Sequence, residues 1–219
     1  MVIERTADLE SVRVAAALRD DIMLGRRPPG SRLVERDIAA ELNVSRLPVR
    51  EAIKALVAEG VVVARPRTWA VVREFSEQDL QDFAEVREAM ETLAFALATA
   101  RIDSEGIALM ESLVQREAEA AEAGDVDAAR KAAATFHISA VHLSGNAMLV
   151  ELAASLVTRL RWLFGQHDDL GHMAGAHREI LDAMRVHDVE AVRRLIPAHL
   201  AEGRDAAEAR LATAPEVLD

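Results

Sequence analysis

The chain has 219 residues, a length that suits one or two domains and can bury a sizeable core. It contains no cysteine, which excludes disulfides, thiolate metal sites and cysteine nucleophiles. No apolar run of about 18 residues and no signal-peptide pattern occurs, so we expect a cytoplasmic protein without membrane contact.

The net charge of −11 is unevenly distributed along the sequence. Residues 1–75 hold 13 Lys and Arg against 11 Asp and Glu, whereas residues 76–219 hold 13 against 26. Contact with phosphates depends on a local basic face rather than on the total charge, so the first part can still bind DNA. We expect two domains, residues 1–75 and 76–219, of which the acidic second one has a different role.

The N-terminal domain is predicted to begin with two helices. Apolar residues recur at helical spacing from Val14 to Ile22 and mark a first helix that ends near Gly25. Two prolines and a glycine make residues 26–30 a turn. A second short helix is predicted from about Glu35 to Leu42.

Residues 44–60 are the most informative stretch. Ser45 can cap a helix, Pro48 fits its first turn, and Gly60 ends it. One face is apolar and another carries basic residues at four-residue steps, namely Arg46, Arg50 and Lys54. Such a helix can lie in the major groove of DNA, where arginine pairs bidentately with guanine. The alternative is a solvated basic face on an ordinary surface helix.

A hairpin is predicted directly after this helix. The β-branched runs Val61–Ala64 and Ala70–Val72 flank a tip that contains Arg65, Arg67 and Trp69. Two short helices joined by about three residues indicate a helix-turn-helix, and the hairpin is the expected wing.

The second half is rich in Ala, Leu, Glu and Arg and lacks alternating β-branched runs, which predicts an all-helical bundle. Residues 165–175 are predicted to form a loop, and Pro197 is expected to kink the last helix. The six predicted helices are Ser76 to about Ala100, Ser104 to about Ala123, Asp125 to Ser144, Asn146 to Phe164, Ala176 to Val186, and Asp188 to about Leu211. The predicted fold class is therefore mainly α.

The N-terminal motifs resemble the winged helix-turn-helix of GntR-family bacterial transcription regulators, through residues 29–33, residues 45–52 and the pair Glu59-Gly60. The resemblance implies that Arg46, Arg50 and Arg36 contact bases or phosphates. The complete predicted DNA-binding set is Arg36, Ser45, Arg46, Arg50, Lys54 and Arg67. The family's wing tip usually carries an arginine-glycine pair, whereas this tip reads Arg67-Thr68-Trp69. We interpret Trp69 as a packing residue at the domain junction.

Segments of the second half resemble the FCD-type effector-binding domain of the FadR subfamily, namely residues 85–91, Phe136-His137, residues 144–146, residues 177–183 and His199-Leu200. In many members of that subfamily, one aspartate and three histidines on different helices hold a metal inside the bundle.

The resemblance implies that His137, His177 and His199 are metal ligands. The family's aspartate lies four residues before the first histidine, where this chain has Ala133. Three imidazoles can still bind a divalent ion such as zinc, nickel or a manganese-like metal, with open positions for water or effector oxygens. The other histidines, namely His142, His167, His172 and His187, do not fit the pattern and are interpreted as surface or loop residues.

Arg87 and Asn146 are the predicted effector-binding residues. Arg87 matches an arginine that in relatives faces the cavity and pairs with an effector carboxylate. The structural alternative is an i,i+4 pair with Glu91, which contributes little on a surface.

The leading hypothesis is a homodimeric transcription regulator, most simply a repressor, that binds a two-fold DNA operator and responds to a small organic acid. One alternative is a regulator whose effector is the metal itself. A zinc-dependent enzyme is a further alternative, but no general base such as the Glu of a His-Glu-x-x-His motif accompanies the histidines.

Overall fold

The computed structural model describes residues 2–23, 25–65, 69–164 and 169–213. The described residues form nine α-helices and three short β-strands, which confirms the predicted mainly α fold class. The chain divides into two compact units, Met1–Ser76 and Glu77–Asp219. Within the described ranges, every helix is too short or too polar to cross a membrane.

The N-terminal unit contains three helices and one small sheet. Its elements are α1 (Val2–Met23), β1 (Arg32–Leu33), α2 (Glu35–Glu41), α3 (Arg46–Ala58), β2 (Val62–Ala64) and β3 (Ala70–Val72). The strands form an antiparallel sheet in the order β1-β3-β2. The predicted helix-turn-helix and hairpin are present, whereas β1 was not predicted because two residues are too few to show an alternating pattern.

The position of α3 is fixed by its packing against α1. Val49, Ala52 and Leu56 of α3 are buried, as are Val14 and Leu18 of α1. At the edge of this contact the Arg19 side chain donates two hydrogen bonds to the Glu59 carboxylate, one of them 2.8 Å long. The apolar stripe of α3 therefore faces the core, and its opposite side faces outward.

The C-terminal unit consists of six helices. They are α4 (Glu77–Arg101), α5 (Ser104–Glu122), α6 (Val126–Leu143), α7 (Ala147–Phe164), α8 (Leu170–Arg185) and α9 (Val189–Thr213). Asp125 caps α6, since its carboxylate accepts a hydrogen bond from Ala128 N at 3.0 Å. Pro197 lies inside α9, which is a single helical element on both sides of it.

The prediction of a loop through Gly175 was wrong from Leu170 onward, because α8 begins there. Two glycines, Gly171 and Gly175, suggested a loop. The helix nevertheless begins early because the Asp169 carboxylate caps it, accepting from His172 N at 2.9 Å, and because Met173 and Ala174 are buried. Residues 165–168 of the predicted loop, including His167, lie outside the described residues.

The main core of the bundle lies between α4, α5, α6, α8 and α9. It contains Phe95, Met110, Phe136, Ile180 and Ile196, all with at most 1% of their surface exposed. A second apolar cluster packs α7 against α4 and α6. These two clusters place the inward faces of α4, α6, α8 and α9 next to one another.

Candidate metal centre and nucleic-acid interface

The outward face of α3 carries the predicted DNA-binding side chains. Arg46, Arg50 and Lys54 are all exposed, with 63%, 50% and 66% of their side chains accessible. Ser45 occupies the N-cap position, but its hydroxyl makes no capping hydrogen bond. An exposed hydroxyl at a helix N-terminus can donate to a phosphate oxygen.

The described cations among the predicted DNA-binding residues have carboxylate partners. Arg46 and Arg50 donate to Glu35, Lys54 donates to Glu51 at 2.9 Å, and Arg36 donates to the neighbouring Asp37 at 2.9 Å. These pairs are exposed, so the cations can bind DNA in addition to the carboxylates, or in their place, at little cost. Arg67 lies outside the described residues.

Trp69 lies next to β3 and is 37% exposed. The guanidinium carbon of Arg32 lies 4.1 Å from the centre of its ring, a cation–π contact. Trp69 therefore packs against β1 of its own sheet.

Three histidines meet inside the C-terminal unit. His137 comes from α6, His177 from α8 and His199 from α9. Their Nε2 atoms form a triangle with sides of 3.1, 3.1 and 3.2 Å. His177 is 1% exposed and His199 5% exposed, whereas the His137 side chain is 13% exposed, so the triangle is shielded from solvent except on the side of His137.

Buried carboxylates hold two of the three rings from behind. Glu91 Oε2 lies 2.5 Å from His137 Nδ1, and Glu117 Oε2 lies 2.6 Å from His177 Nδ1. Arg87 Nε in turn donates to Glu91 Oε1 at 2.7 Å. A carboxylate behind Nδ1 orients the ring and leaves the Nε2 lone pair facing the other histidines.

The environment of these groups shifts their pKa values in different directions. Burial alone raises the pKa of Glu91, but Arg87 and His137 outweigh it and hold that pKa well below its usual range. Burial raises the pKa of Glu117 to about 7. Burial and the neighbouring imidazoles lower the pKa of His199, which stays neutral and is thus in its ligating form.

The donor set fits a divalent metal ion. Two nitrogens bound to one ion at about 2.0–2.1 Å lie roughly 2.9–3.4 Å apart, depending on the coordination geometry, and the observed distances fall in that range. His199 Nδ1 is buried and has no hydrogen-bond partner in the described part of the chain, so the ring contacts the other two histidines through Nε2 alone. Ala133 supplies no oxygen, which leaves three protein ligands and open positions.

A cavity of about 270 Å³ opens beside the triangle. Its polar side is formed by Arg87, Glu91, Arg130, His137, His142 and His177, so His142 is a cavity-lining residue and not only the ordinary surface residue that the sequence suggested. The rest of its lining is mainly apolar, with Met90, Ala133, Ala134, Ile138, Val141, Val150, Ala153, Ala154, Val157 and Leu160. This volume and lining suit a small molecule with an anionic end and an apolar body.

The structure brings Arg87 and the three histidines together but places Asn146 elsewhere. Asn146 does not line the cavity, and its Oδ1 accepts from Met148 N at 3.1 Å, which caps α7. The alternative of a surface pair between Arg87 and Glu91 was wrong in its environment, because the pair forms but is buried. His187 is exposed, as interpreted from the sequence, and its Nδ1 lies 2.7 Å from Thr99 O.

Sequence reasoning missed Glu117. The sequence nevertheless contains a signal for its burial. Met110, Leu113, Val114 and Glu117 share one face of the helix, so an acidic residue lies at the end of an apolar stripe. A carboxylate on a buried face needs a partner, and a histidine is one of the few available types.

A winged helix-turn-helix with an exposed basic helix, joined to a helical bundle with an internal binding site, defines the class of DNA-binding transcription regulators. The chain belongs to the gntR family of bacterial regulatory proteins: the model of that family matches residues 10–72, and the FCD domain model matches residues 82–202.

Relatives agree with this assignment. The chain is 32% identical over 200 residues to "Probable D-xylose utilization operon transcriptional repressor" of Paenarthrobacter nicotinovorans, covering 88% of each. It is 32% identical over 165 residues to "Nta operon transcriptional regulator" of Aminobacter aminovorans, covering 73% of this chain and 77% of that one. The solved structure of Escherichia coli McbR/YncC has the same fold, with a TM-score of 0.79 at 22% identity over 92% of this chain and 98% of that one. The relatives are transcription regulators and not enzymes, which removes the zinc-enzyme alternative.

Proposed function

We propose that this protein represses transcription by binding an operator through α3, and that a small carboxylate bound in the C-terminal bundle changes its DNA affinity. The observation that carries the proposal is the triangle of Nε2 atoms, 3.1–3.2 Å apart, beside a cavity that also contains Arg87. DNA binding rests on the exposed basic face of α3 within the N-terminal unit.

In this proposal His137, His177 and His199 hold a divalent metal ion. When bound, the ion supplies a Lewis acid with open positions for oxygen ligands. Arg87 lines the same cavity and attracts the effector's carboxylate, while its bond to Glu91 fixes its orientation. The apolar side of the cavity excludes water and selects for the body of the molecule.

The site can influence DNA binding because α4 follows the N-terminal unit directly along the chain. Arg87 and Glu91 lie in α4, which begins at Glu77, the residue directly after the N-terminal unit. A ligand that pulls on Arg87 therefore acts on the helix that leads to the DNA-binding unit. Such coupling is reciprocal, so DNA should weaken effector binding as much as effector weakens DNA binding.

We also infer a homodimer through the outer faces of α4 and α7. Val86 and Leu93 of α4 and Met148 and Leu152 of α7 are exposed by 41–62%. These helices pack on each other through the second apolar cluster. Val86 and Leu93 are seven residues apart and Met148 and Leu152 are four residues apart, so each pair lies on one face of its helix. An apolar surface on a DNA-binding protein suits a second copy, since two-fold operators need two recognition helices.

The dimer is tested by sedimentation of Leu152→Glu, which should be monomeric. The control is Val186→Glu, which changes an exposed apolar residue outside α4 and α7, at the end of α8, and should stay dimeric. Equal behaviour of the two variants would remove this surface from the proposal.

The function is tested by DNA binding. A duplex selected by the native protein from a randomised pool is titrated in the presence of zinc, with and without a panel of small carboxylates, and again with a chelator. Release by one carboxylate in the native protein but not in His177→Ala supports the proposal, with His172→Ala, an exposed histidine on the same helix, as the control. Release by metal alone would show a metal-responsive regulator, and indifference to all additions would refute regulation through this site.

A further inference from the structure

Glu35 contacts both arginines of the recognition helix. Its Oε1 accepts from Arg50 Nε at 2.9 Å, and its Oε2 accepts from Arg50 Nη2 at 2.9 Å and from Arg46 Nη2 at 3.2 Å. Glu35 is the first residue of α2, 15 positions before Arg50, so the contact crosses the turn of the helix-turn-helix.

The bidentate contact uses only one edge of the Arg50 guanidinium. A guanidinium has a side edge, formed by Nε and one terminal nitrogen, and an end edge, formed by both terminal nitrogens. Glu35 occupies the side edge. The end edge consists of Nη1 and the second N–H of Nη2, and in the described ranges neither of these has a hydrogen-bond partner, since the contacts of Arg50 with Glu35 use Nε and one N–H of Nη2. Guanine O6 and N7 can be met by two parallel N–H groups of that edge.

The carboxylate is unfavourable for general DNA affinity. Hydrogen bonds from Arg50, with the charges of Arg50 and Arg46, lower the pKa of Glu35, so it stays ionised and carries a negative charge on the face that meets phosphates. Its contribution must therefore lie in how it orients the arginines, since arginine loses much rotamer freedom when one edge is fixed.

We propose that Glu35 is a positioning residue for base recognition, which holds Arg50 by its side edge so that the end edge is presented to a guanine. The inference rests on the proposed role of Arg50 in DNA binding. It predicts that Glu35 increases discrimination between sequences while it decreases affinity for DNA in general.

The test compares Glu35→Gln with Glu51→Gln. Both remove one negative charge beside α3, but Glu51 pairs with Lys54 and contacts neither arginine. Affinity is measured for the duplex that the native protein selects from a randomised pool and for a scrambled duplex of equal length. We expect both variants to bind the scrambled duplex about two- to fivefold more tightly, because one like charge is gone. The ratio of selected to scrambled affinity should fall about tenfold in Glu35→Gln only.

Glu35→Asp separates charge from position. It keeps the negative charge but is one methylene shorter. Its affinity for the scrambled duplex should therefore equal that of the native protein, while its ratio of selected to scrambled affinity should fall. This variant also remains informative if Glu35→Gln loses stability, which thermal melting would show. An unchanged ratio in both Glu35 variants, or an equal fall in Glu51→Gln, would overturn the proposal.

Arg50→Ala separates the role of α3 in DNA binding from the role of Glu35. Loss of the selected-duplex preference in Arg50→Ala, together with an unchanged ratio in the Glu35 variants, would leave the role of α3 intact and refute only the role of Glu35. An Arg50→Ala variant that keeps the full preference would refute both.

Discussion

Two arginine–glutamate pairs, one in each unit, have the same chemistry in opposite environments. Arg50 and Glu35 lie on the exposed face of the N-terminal unit, with half of the Arg50 side chain accessible. Arg87 and Glu91 lie inside the C-terminal unit, with 10% and 6% of their side chains accessible. The arginine of the exposed pair is accessible to DNA, whereas separating the buried pair leaves a charge without water.

This difference matches the two roles we propose. A DNA-binding arginine must leave or share its carboxylate when phosphates and bases arrive, so its pair has to be accessible. The pair beside His137 has to stay fixed, because Glu91 orients the imidazole while Arg87 faces the cavity.

The largest difference between the buried and the exposed pair is expected in protein stability when each glutamate is removed. Glu91→Ala should lower the free energy of unfolding by about 3–5 kcal/mol, because it removes the buried carboxylate that both Arg87 and His137 contact. Glu35→Ala should leave the free energy of unfolding nearly unchanged, because both arginines stay hydrated. Urea denaturation in the presence of a chelator measures both values without a contribution from metal. Similar losses in the two variants would show that burial does not distinguish the pairs.

Removing the exposed arginine should affect DNA binding and not the fold. Arg50→Ala is expected to weaken binding of the selected duplex about tenfold to a hundredfold, the range for one bidentate base contact. Its melting temperature should equal that of the native protein. Fluorescence anisotropy with the selected duplex measures the first quantity. Binding that persists unchanged in the double variant Arg46→Ala, Arg50→Ala would exclude α3 as the DNA-binding element.

A smaller effect is expected at the wing. Arg32→Gln removes the cation that lies over Trp69 and should cost about 0.5–1 kcal/mol of stability, the value of an exposed cation–π contact. Arg36→Gln is the matched control, since Arg36 is exposed and pairs only with its neighbour Asp37 in the described structure. Thermal melting of the two variants side by side measures the difference. Equal melting would mean that the contact adds no stability.

Most of the fold could be predicted because helical periodicity and capping residues are local signals. The apolar stripes of α1, α3 and the bundle helices and the cap at Asp125 are visible in the sequence. The start of α8 was missed because Gly171 and Gly175 are helical here, supported by burial of neighbouring residues, which is a tertiary effect. The strand β1 exists only through its pairing with β3.

The candidate site was predictable only in part. The resemblance to the FCD domain pointed to the three histidines, whose distances the sequence cannot give because they lie on three helices. Glu91 and Glu117 reach the site from α4 and α5, and only the packing of those helices brings them to His137 and His177. Asn146, by contrast, belongs to a segment that resembles the FCD domain, but its side chain caps α7 and does not line the cavity.

The central claim is that His137, His177 and His199 form a metal centre, and metal-dependent unfolding tests it most directly. Zinc at about 100 to 1,000 times its dissociation constant should raise the free energy of unfolding of the native protein by about 3–4 kcal/mol. A chelator should abolish this increment, and His177→Ala should lack it while His172→Ala retains it. An increment of the same size in His177→Ala, or a native protein indifferent to zinc, nickel, manganese and chelator, would contradict the account.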